Sequence, residues 1–250
     1  MTGKQEIDNN IRKDRKMIKA VIFDLDGTLL YTLEDLADAM NYTLRRFNMP
    51  ERTLDEVRRF VGNGIRKLIR RAVPAETTEE TVDEMFECFK PYYDEHCLDK
   101  TKVYDGMLEE LEVLYNKGYK LAIVSNKVDS AVKELNEKFF SKYISVAIGE
   151  KEGVRRKPAP DTVIAALSEL GISKEEAIYV GDSDVDFETA KNSGLPCISV
   201  LWGFRDKEFL IEHGAQNFAE KPAEISRLIE AGSCDGSAGC PGGMRQEKDH

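Results

Sequence analysis

The sequence lacks the features that mark membrane-spanning, secreted or nucleic-acid-binding proteins. None of its apolar runs approaches the roughly 20 residues that a membrane-spanning helix needs. The N-terminus also lacks the apolar core of a signal peptide. No long block of lysine and arginine is present, and the formal net charge is -10 at pH 7. We therefore expect a cytosolic protein with neither nucleic acid nor a membrane as a partner.

Cysteine is sparse and scattered. The five cysteines are Cys88, Cys97, Cys197, Cys234 and Cys240. Their number is odd and their spacing does not suggest a zinc site, so we predict reduced thiols. Cys234 and Cys240 lie in a Gly- and Ser-rich segment, where the composition favours disorder. A metal site or an exposed disulfide is the alternative for these two.

The sequence pattern divides the chain into parts. Residues 1–16 are polar and charged, which predicts a flexible leader, and residues 232–250 are predicted to be a disordered tail. Residues 17–30 and 103–231 alternate apolar strands with helices. Residues 31–102 carry only helical patterns, with Thr32 predicted to cap the first helix.

The alternating part predicts an α/β fold with a doubly wound, parallel, Rossmann-like sheet. The first strand, at Ala20, belongs to that pattern, so the all-helical stretch is interpreted as a cap inserted after the first strand. Thr53 and Glu56 are predicted to form a capping box within it. The later strands are predicted at Leu121–Val124, Ile144–Ile148, Ala177–Val180 and Pro196–Val200.

Polar side chains follow several of these strands, at the edge where doubly wound sheets bind ligands. They are four acids, a serine and a lysine in a proline-rich loop: Asp24, Asp26, Ser125, Asp182, Asp186 and Lys157. Each alone has an ordinary explanation, such as a helix cap or an exposed charge. Two carboxylates one residue apart, however, predict either a metal or a shared proton. Oxygen ligands in this number suit Mg²⁺, and the lysine and hydroxyl suit a phosphate.

The same residues lie in four motifs that resemble those of the haloacid dehalogenase superfamily. The motifs are Asp24-Leu25-Asp26-Gly27-Thr28-Leu29, Ser125, Lys157-Pro158-Ala159-Pro160 and Gly181-Asp182-Ser183-Asp184-Val185-Asp186. The resemblance covers the chain from about residue 17 to residue 230. The helical insertion falls where that superfamily places its first type of cap. Within the superfamily, the chain most resembles phosphoglycolate phosphatases.

The resemblance implies a Mg²⁺-dependent phosphoric monoester hydrolase that acts on a small phosphorylated substrate. Asp24 is then the nucleophile, and Asp26 is the acid and then the base. The metal is held by Asp24, the backbone carbonyl of Asp26 and Asp182, with support from Asp186. Ser125, Asn126 and Lys157 bind the phosphate.

The sequence says less about the substrate. Gly62, Asn63 and Gly64 open a helix in the cap and offer backbone N–H groups to a second anion, which favours 2-phosphoglycolate. An ordinary glycine-broken turn is the alternative. A pyrophosphatase and a β-phosphoglucomutase-like enzyme share the same core and stay open, as do monomer and homodimer. A phospho-acceptor signalling domain fits less well because it needs no cap. Asp26 argues against a dehalogenase or a phosphonate hydrolase.

Overall fold

A computed structural model describes residues 17–232, so the predicted leader, most of the predicted tail, Cys234 and Cys240 lie outside the described residues. Strands and helices alternate along much of this range. The strands are β1 (Ala20–Phe23), β2 (Leu30–Tyr31), β3 (Lys102–Val103), β4 (Lys120–Val128), β5 (Val146–Glu150), β6 (Ala177–Gly181), β7 (Cys197–Val200) and β8 (Phe218–Ala219). The helices are α1 (Leu33–Arg46), α2 (Leu54–Phe60), α3 (Ile65–Ala72), α4 (Glu79–His96), α5 (Met107–Asn116), α6 (Asp129–Phe139), α7 (Asp161–Leu170), α8 (Asp184–Ser193), α9 (Lys207–Glu212) and α10 (Ile225–Glu230).

Within residues 17–232, six parallel strands form one sheet in the order β5-β4-β1-β6-β7-β8. The predicted doubly wound α/β fold is therefore confirmed. β1 lies at the centre, and all four of its residues are buried because apolar clusters cover both faces of the sheet. Phe23 pairs with Ile123 of β4 and Val180 of β6, so the residues that follow these positions lie at one edge.

The helices between residues 33 and 96, called the helical region below, pack around an apolar cluster of their own. The predicted capping box of Thr53 and Glu56 is present at the start of α2. Thr32 occupies the N-cap position of α1, but its side chain makes no capping hydrogen bond, so that prediction is wrong. The Thr32 backbone is not in the extended conformation that a capping side chain requires.

A short ribbon joins the two chain segments that link the helical region to the sheet. β2 pairs with β3 in antiparallel register, with Leu30 opposite Val103. The sequence does not predict either strand, and it does not predict β8. A two-residue strand is shorter than the shortest run from which a period of two can be read.

β4 extends four residues beyond its predicted end at Val124. Its register with β5 shifts between Val124 and Val128, and the N–H of Lys127 donates to Oγ of Ser125 at 3.1 Å inside this irregular part. The polar residues Ser125, Asn126 and Lys127 therefore continue the strand along the edge of the sheet. None of the helices in residues 17–232 combines the length and the apolar character needed to cross a bilayer.

Candidate active site

Three buried carboxylates meet at the carboxyl edge of the sheet. Oxygens of Asp24, Asp182 and Asp186 all lie within 4.8 Å of one another. Asp24 follows β1, Asp182 follows β6, and Asp186 lies in the first turn of α8. The sheet register therefore brings together the acids that the sequence places at separate strand ends.

Lys157 is the buried cation of this cluster. Its Nζ lies 2.7 Å from Oδ1 of Asp24 and 2.8 Å from Oδ1 of Asp186. The hydroxyl of Tyr179 lies 3.1 Å from the same nitrogen. Lys157 thus bridges the carboxylate that follows β1 and the carboxylate in the first turn of α8.

Asp186 is held by its own helix as well as by Lys157. Its Oδ2 accepts from the N–H of Ser183 at 3.1 Å and from the Ser183 hydroxyl at 2.5 Å. The Asp186 N–H donates to the Ser183 hydroxyl oxygen at 3.3 Å, which completes a capping box. Its Oδ1 accepts from the Tyr179 hydroxyl at 2.9 Å. A Cβ at Gly181 would overlap the Asp186 side chain, so glycine is needed for this close approach.

Asp182 is oriented by backbone and small residues around it. The N–H of Phe204 donates to its Oδ2 at 2.6 Å, and the Thr28 hydroxyl lies 3.4 Å from its Oδ1. A Cβ at either Gly27 or Gly203 would overlap the Asp182 side chain. The two glycines therefore leave just enough room for this carboxylate.

The cluster carries more negative charge than Lys157 balances. Burial, followed by the Asp186 carboxylate, raises the pKa of Asp24 well above its ordinary value, although Lys157 acts in the opposite direction. Burial and Asp186 also raise the pKa of Asp182 to about 7. Burial alone would lower the pKa of Lys157, but Asp186 and Asp24 raise it. One ammonium among three carboxylates leaves a net negative site.

This donor set fits a divalent cation that prefers oxygen ligands, such as Mg²⁺. Buried carboxylates with raised pKa values gain from a cation that compensates their repulsion. Mg²⁺ is typically held by one or two carboxylates together with water and substrate phosphate. Asp24 and Asp182 are suited to that role because they accept fewer hydrogen bonds from protein donors than Asp186 does.

Asp26 lies beside the cluster in a different environment. Its Oδ1 is buried and has no hydrogen-bond partner among the described residues. Nζ of Lys127 is 3.8 Å away, and it hydrogen-bonds to the hydroxyl of Tyr93 at 2.6 Å. Burial would lower the pKa of Lys127, but Asp26 and Tyr93 raise it, so this lysine stays charged.

The predicted phosphate-binding residues lie on β4 and the loop before α7. Ser125 is buried, and its hydroxyl oxygen accepts from the Lys127 N–H. The Asn126 side chain holds the backbone of Lys157, accepting from its N–H at 2.8 Å and donating to its carbonyl at 3.1 Å. Asn126 therefore fixes the loop from which Lys157 reaches Asp24.

A cavity of about 450 Å³ lies between these residues and the helical region. Gly62 and Gly64 line it, together with the predicted residues Asp24, Asp26 and Ser125. The Asn63 side chain is engaged elsewhere, where it accepts from Arg71 at 2.6 Å. The other candidates that line the cavity are Asn126, Lys157 and Asp182.

The residues that support the cluster are not among the predicted site residues. Tyr179 is predicted only as a strand residue, although a polar atom at the end of a buried aromatic side chain signals a hydrogen-bond partner. Phe204 contributes through its backbone, which no sequence pattern reveals. Lys127 follows two predicted phosphate-binding residues, and that position is the one available signal for it.

Comparison with known proteins agrees with this geometry. The family profile of haloacid dehalogenase-like hydrolases matches residues 21–200. The chain is 35% identical over 188 residues to a phosphoglycolate phosphatase of Aquifex aeolicus, which covers 75% of this chain and 86% of that protein. It is 33% identical over 215 residues to the pyrophosphatase PpaX of Listeria monocytogenes serotype 4a, which covers 85% and 96%.

A solved structure shows the same fold. It comes from Lactobacillus delbrueckii subsp. bulgaricus and has a provisional assignment as a phosphoglycolate phosphatase. It matches with a TM-score of 0.80 at 36% identity, over 86% of this chain and 98% of that one. The family profile spans most of the chain, and the carboxylates and the lysine of three of the four motifs meet in one cluster. The chain therefore belongs to the haloacid dehalogenase-like hydrolases and is similar to the phosphoglycolate phosphatases among them.

Proposed function

We propose that this protein is a Mg²⁺-dependent phosphatase that hydrolyses a small phosphomonoester through a phosphorylated Asp24. The observation that carries the proposal is the contact between Asp24 and Lys157, 2.7 Å apart in a buried cluster with Asp182 and Asp186. A carboxylate is a weak nucleophile, but phosphoryl transfer depends mainly on positioning and on neutralised charge. The cluster supplies both.

In the first step, a carboxylate oxygen of Asp24 attacks phosphorus while the bond from phosphorus to the alcohol oxygen breaks. Lys157 balances charge on the transferring group, and the Ser125 hydroxyl and the Asn126 N–H donate to its oxygens. When bound by Asp24, the Asp26 carbonyl and Asp182, Mg²⁺ supplies charge that offsets the repulsion between nucleophile and phosphate.

Asp26 transfers the protons. It gives one to the leaving alcohol oxygen in the first step and takes one from the attacking water in the second, which releases phosphate and restores Asp24. Its Oδ1 is buried and accepts no hydrogen bond from the described residues, so we assign the exchange of protons to Oδ2. We assign residues 31–102 the role of a cap that excludes water during the first step.

2-Phosphoglycolate is the first candidate substrate. The similarity to the Aquifex aeolicus enzyme supports it, and so do Gly62 and Gly64 at the cavity wall. Pyrophosphate is the second candidate, because the Listeria monocytogenes enzyme matches over 85% of this chain.

Steady-state assays with 2-phosphoglycolate, pyrophosphate and hexose phosphates, each with and without Mg²⁺, test the proposal. We expect Mg²⁺-dependent phosphate release and loss of turnover in the Asp24→Asn variant. The matched control is Asp161→Asn, which removes an exposed carboxylate paired with Arg155. Acid quenching during turnover should trap a phosphorylated peptide that contains Asp24. Wild-type activity in Asp24→Asn would exclude this mechanism.

A further inference from the structure

Lys127 and Tyr93 connect the proposed acid-base carboxylate to the helical region. Lys127 belongs to β4 of the sheet and Tyr93 belongs to α4. The Lys127 Nζ lies 2.6 Å from the Tyr93 hydroxyl and 4.5 Å from the centre of the Tyr93 ring. The same nitrogen lies 3.8 Å from Oδ1 of Asp26. These contacts form a short chain from α4 to Asp26.

The 3.8 Å separation is within the range of an ion pair but too long for a hydrogen bond. The side chains of Lys127 and Asp26 are only 11% and 20% exposed, so solvent screens their attraction weakly. Without another partner, the ammonium would be drawn into direct contact with the carboxylate. Such a contact would turn the carboxylate away from the orientation that proton transfer at Oδ2 needs.

Tyr93 supplies that other partner. Its side chain is buried, and it packs against Phe89 in the apolar cluster of the helical region. The hydroxyl and the ring face both attract the ammonium of Lys127. The position of Lys127 is therefore set from the helical region rather than by Asp26 alone.

We propose that Lys127 and Tyr93 are positioning residues for Asp26: Tyr93 holds the Lys127 ammonium close enough to the buried Oδ1 to orient the carboxylate but too far away to bind it directly, which keeps Oδ2 directed to the site of proton exchange. This inference rests on the proposed function. It adds that the position of α4 affects the proton-transfer step. Lys157, by contrast, contacts Asp24 and acts where phosphorus is attacked.

The test compares two esters of similar size, phenyl phosphate and 4-nitrophenyl phosphate. 4-Nitrophenolate leaves without a proton far more readily than phenolate, so its release depends less on an acid. Alcohol release is measured with enzyme in excess, which isolates the first step. In Lys127→Met, we expect the rate of alcohol release to fall for both esters. The fold decrease for phenyl phosphate should exceed that for 4-nitrophenyl phosphate by about tenfold or more. Lys157→Met should slow both esters alike.

Tyr93→Phe tests the link to the helical region, because it keeps the ring and removes only the hydroxyl. It should slow phenol release more than 4-nitrophenol release. In the Lys127→Met background, it should have no further effect, because Tyr93 acts through Lys127. If Lys127→Met does not fold, the single Tyr93→Phe variant still decides the question by its ester preference.

Lys138→Met, on the surface of α6, serves as the folding control, with circular dichroism and melting curves for every variant. An equal fold decrease in the rate of alcohol release for both esters in Lys127→Met would overturn the inference. Additive effects of Lys127→Met and Tyr93→Phe on that rate would overturn it as well. If Asp24→Asn is inactive while Lys127→Met shows no ester preference, only this inference fails. If Asp24→Asn stays active, the proposed function fails first.

Discussion

The backbone N–H of Phe204 donates to Oδ2 of Asp182 at 2.6 Å, while the Phe204 side chain is buried in the apolar cluster of the helical region. One residue of the loop after β7 thus contacts both a proposed metal ligand and the helical region. Its neighbour Arg205 donates to the carbonyls of Arg58 and Val61 at 2.9 and 2.6 Å. Arg58 donates back to the Phe204 carbonyl at 2.9 Å. The orientation of Asp182 therefore depends on how this loop meets the helical region.

Gly203→Ala should weaken metal binding. The new Cβ would overlap the side chain of Asp182 and the carbonyl oxygen of Gly27, so the carboxylate must move. Loss of an orienting contact around a metal ligand typically costs about 10- to 100-fold in affinity. Calorimetric titration with Mg²⁺ measures the change directly. Gly153→Ala is the control for replacing a glycine as such: its φ of +77° strains any side chain, but its Cβ would meet nothing within 4 Å. Unchanged Mg²⁺ affinity in Gly203→Ala would contradict the proposed role of Asp182.

Mg²⁺ affinity should rise with pH around neutrality. Burial and Asp186 raise the pKa of Asp182 to about 7, so below that pH the metal competes with a proton for this carboxylate. We expect the affinity to fall by about tenfold or more per pH unit below pH 7, with at least one proton released on binding, because the pKa of Asp24 is raised as well. Titrations at pH 6, 7 and 8 in buffers of different ionisation enthalpy measure both quantities. A pH-independent affinity without proton release would show that Asp182 is already ionised in the metal-free protein.

Glu110→Gln should remove part of the pH dependence of stability. The side chain is buried and its Oε1 accepts from the Ser226 N–H at 2.7 Å. Burial raises the pKa of Glu110 above its ordinary value of 4.5, although Ser226 acts in the opposite direction. The folded state therefore holds this proton to higher pH than the unfolded state. Its contribution to stability is complete below pH 4.5 and is lost as the pH rises through the folded-state pKa.

The Glu110→Gln variant keeps an acceptor for Ser226 and has no charge at this position. We expect it to be at least as stable as the wild type at pH 7 and to lose less stability as the pH rises from 4 to 7. Urea unfolding at several pH values measures this. Glu109→Gln, at an exposed position on the same helix, is the control. It should leave the change of unfolding free energy with pH as in the wild type. If the free energy of unfolding changed equally with pH in Glu110→Gln and in the wild type, the raised pKa assigned to Glu110 would be contradicted.

The fold class and the candidate residues could be predicted because each depends on local patterns. The run Val21-Ile22-Phe23 predicts a buried strand, and Asp24 follows it directly in the chain. Parallel strands place their carboxyl ends at one edge of the sheet. A residue that directly follows a strand is therefore expected to lie at that edge. The capping box joins Thr53 and Glu56, three positions apart in the chain, and is confirmed in the structure.

Contacts between residues that are far apart in the chain cannot be predicted from local sequence patterns. Lys157 and Asp24 are 133 positions apart, Phe204 and Asp182 are 22 apart, and Lys127 and Tyr93 are 34 apart. The short strands β2, β3 and β8 exist because a neighbouring strand pairs with them, and Thr32 does not cap its helix because its backbone takes another conformation.

The sequence by itself determines the order of strands and helices and the chemical groups available at the strand ends, because side-chain periodicity and capping are properties of nearby residues. Only the tertiary structure decides which of these groups meet, since the energies of buried charges depend on distance and on exclusion of water. That is why Asp24 and Asp26, which are separated by one residue, differ: Asp24 contacts Lys157, whereas the buried Oδ1 of Asp26 lies 3.8 Å from Lys127 and has no hydrogen-bond partner among the described residues.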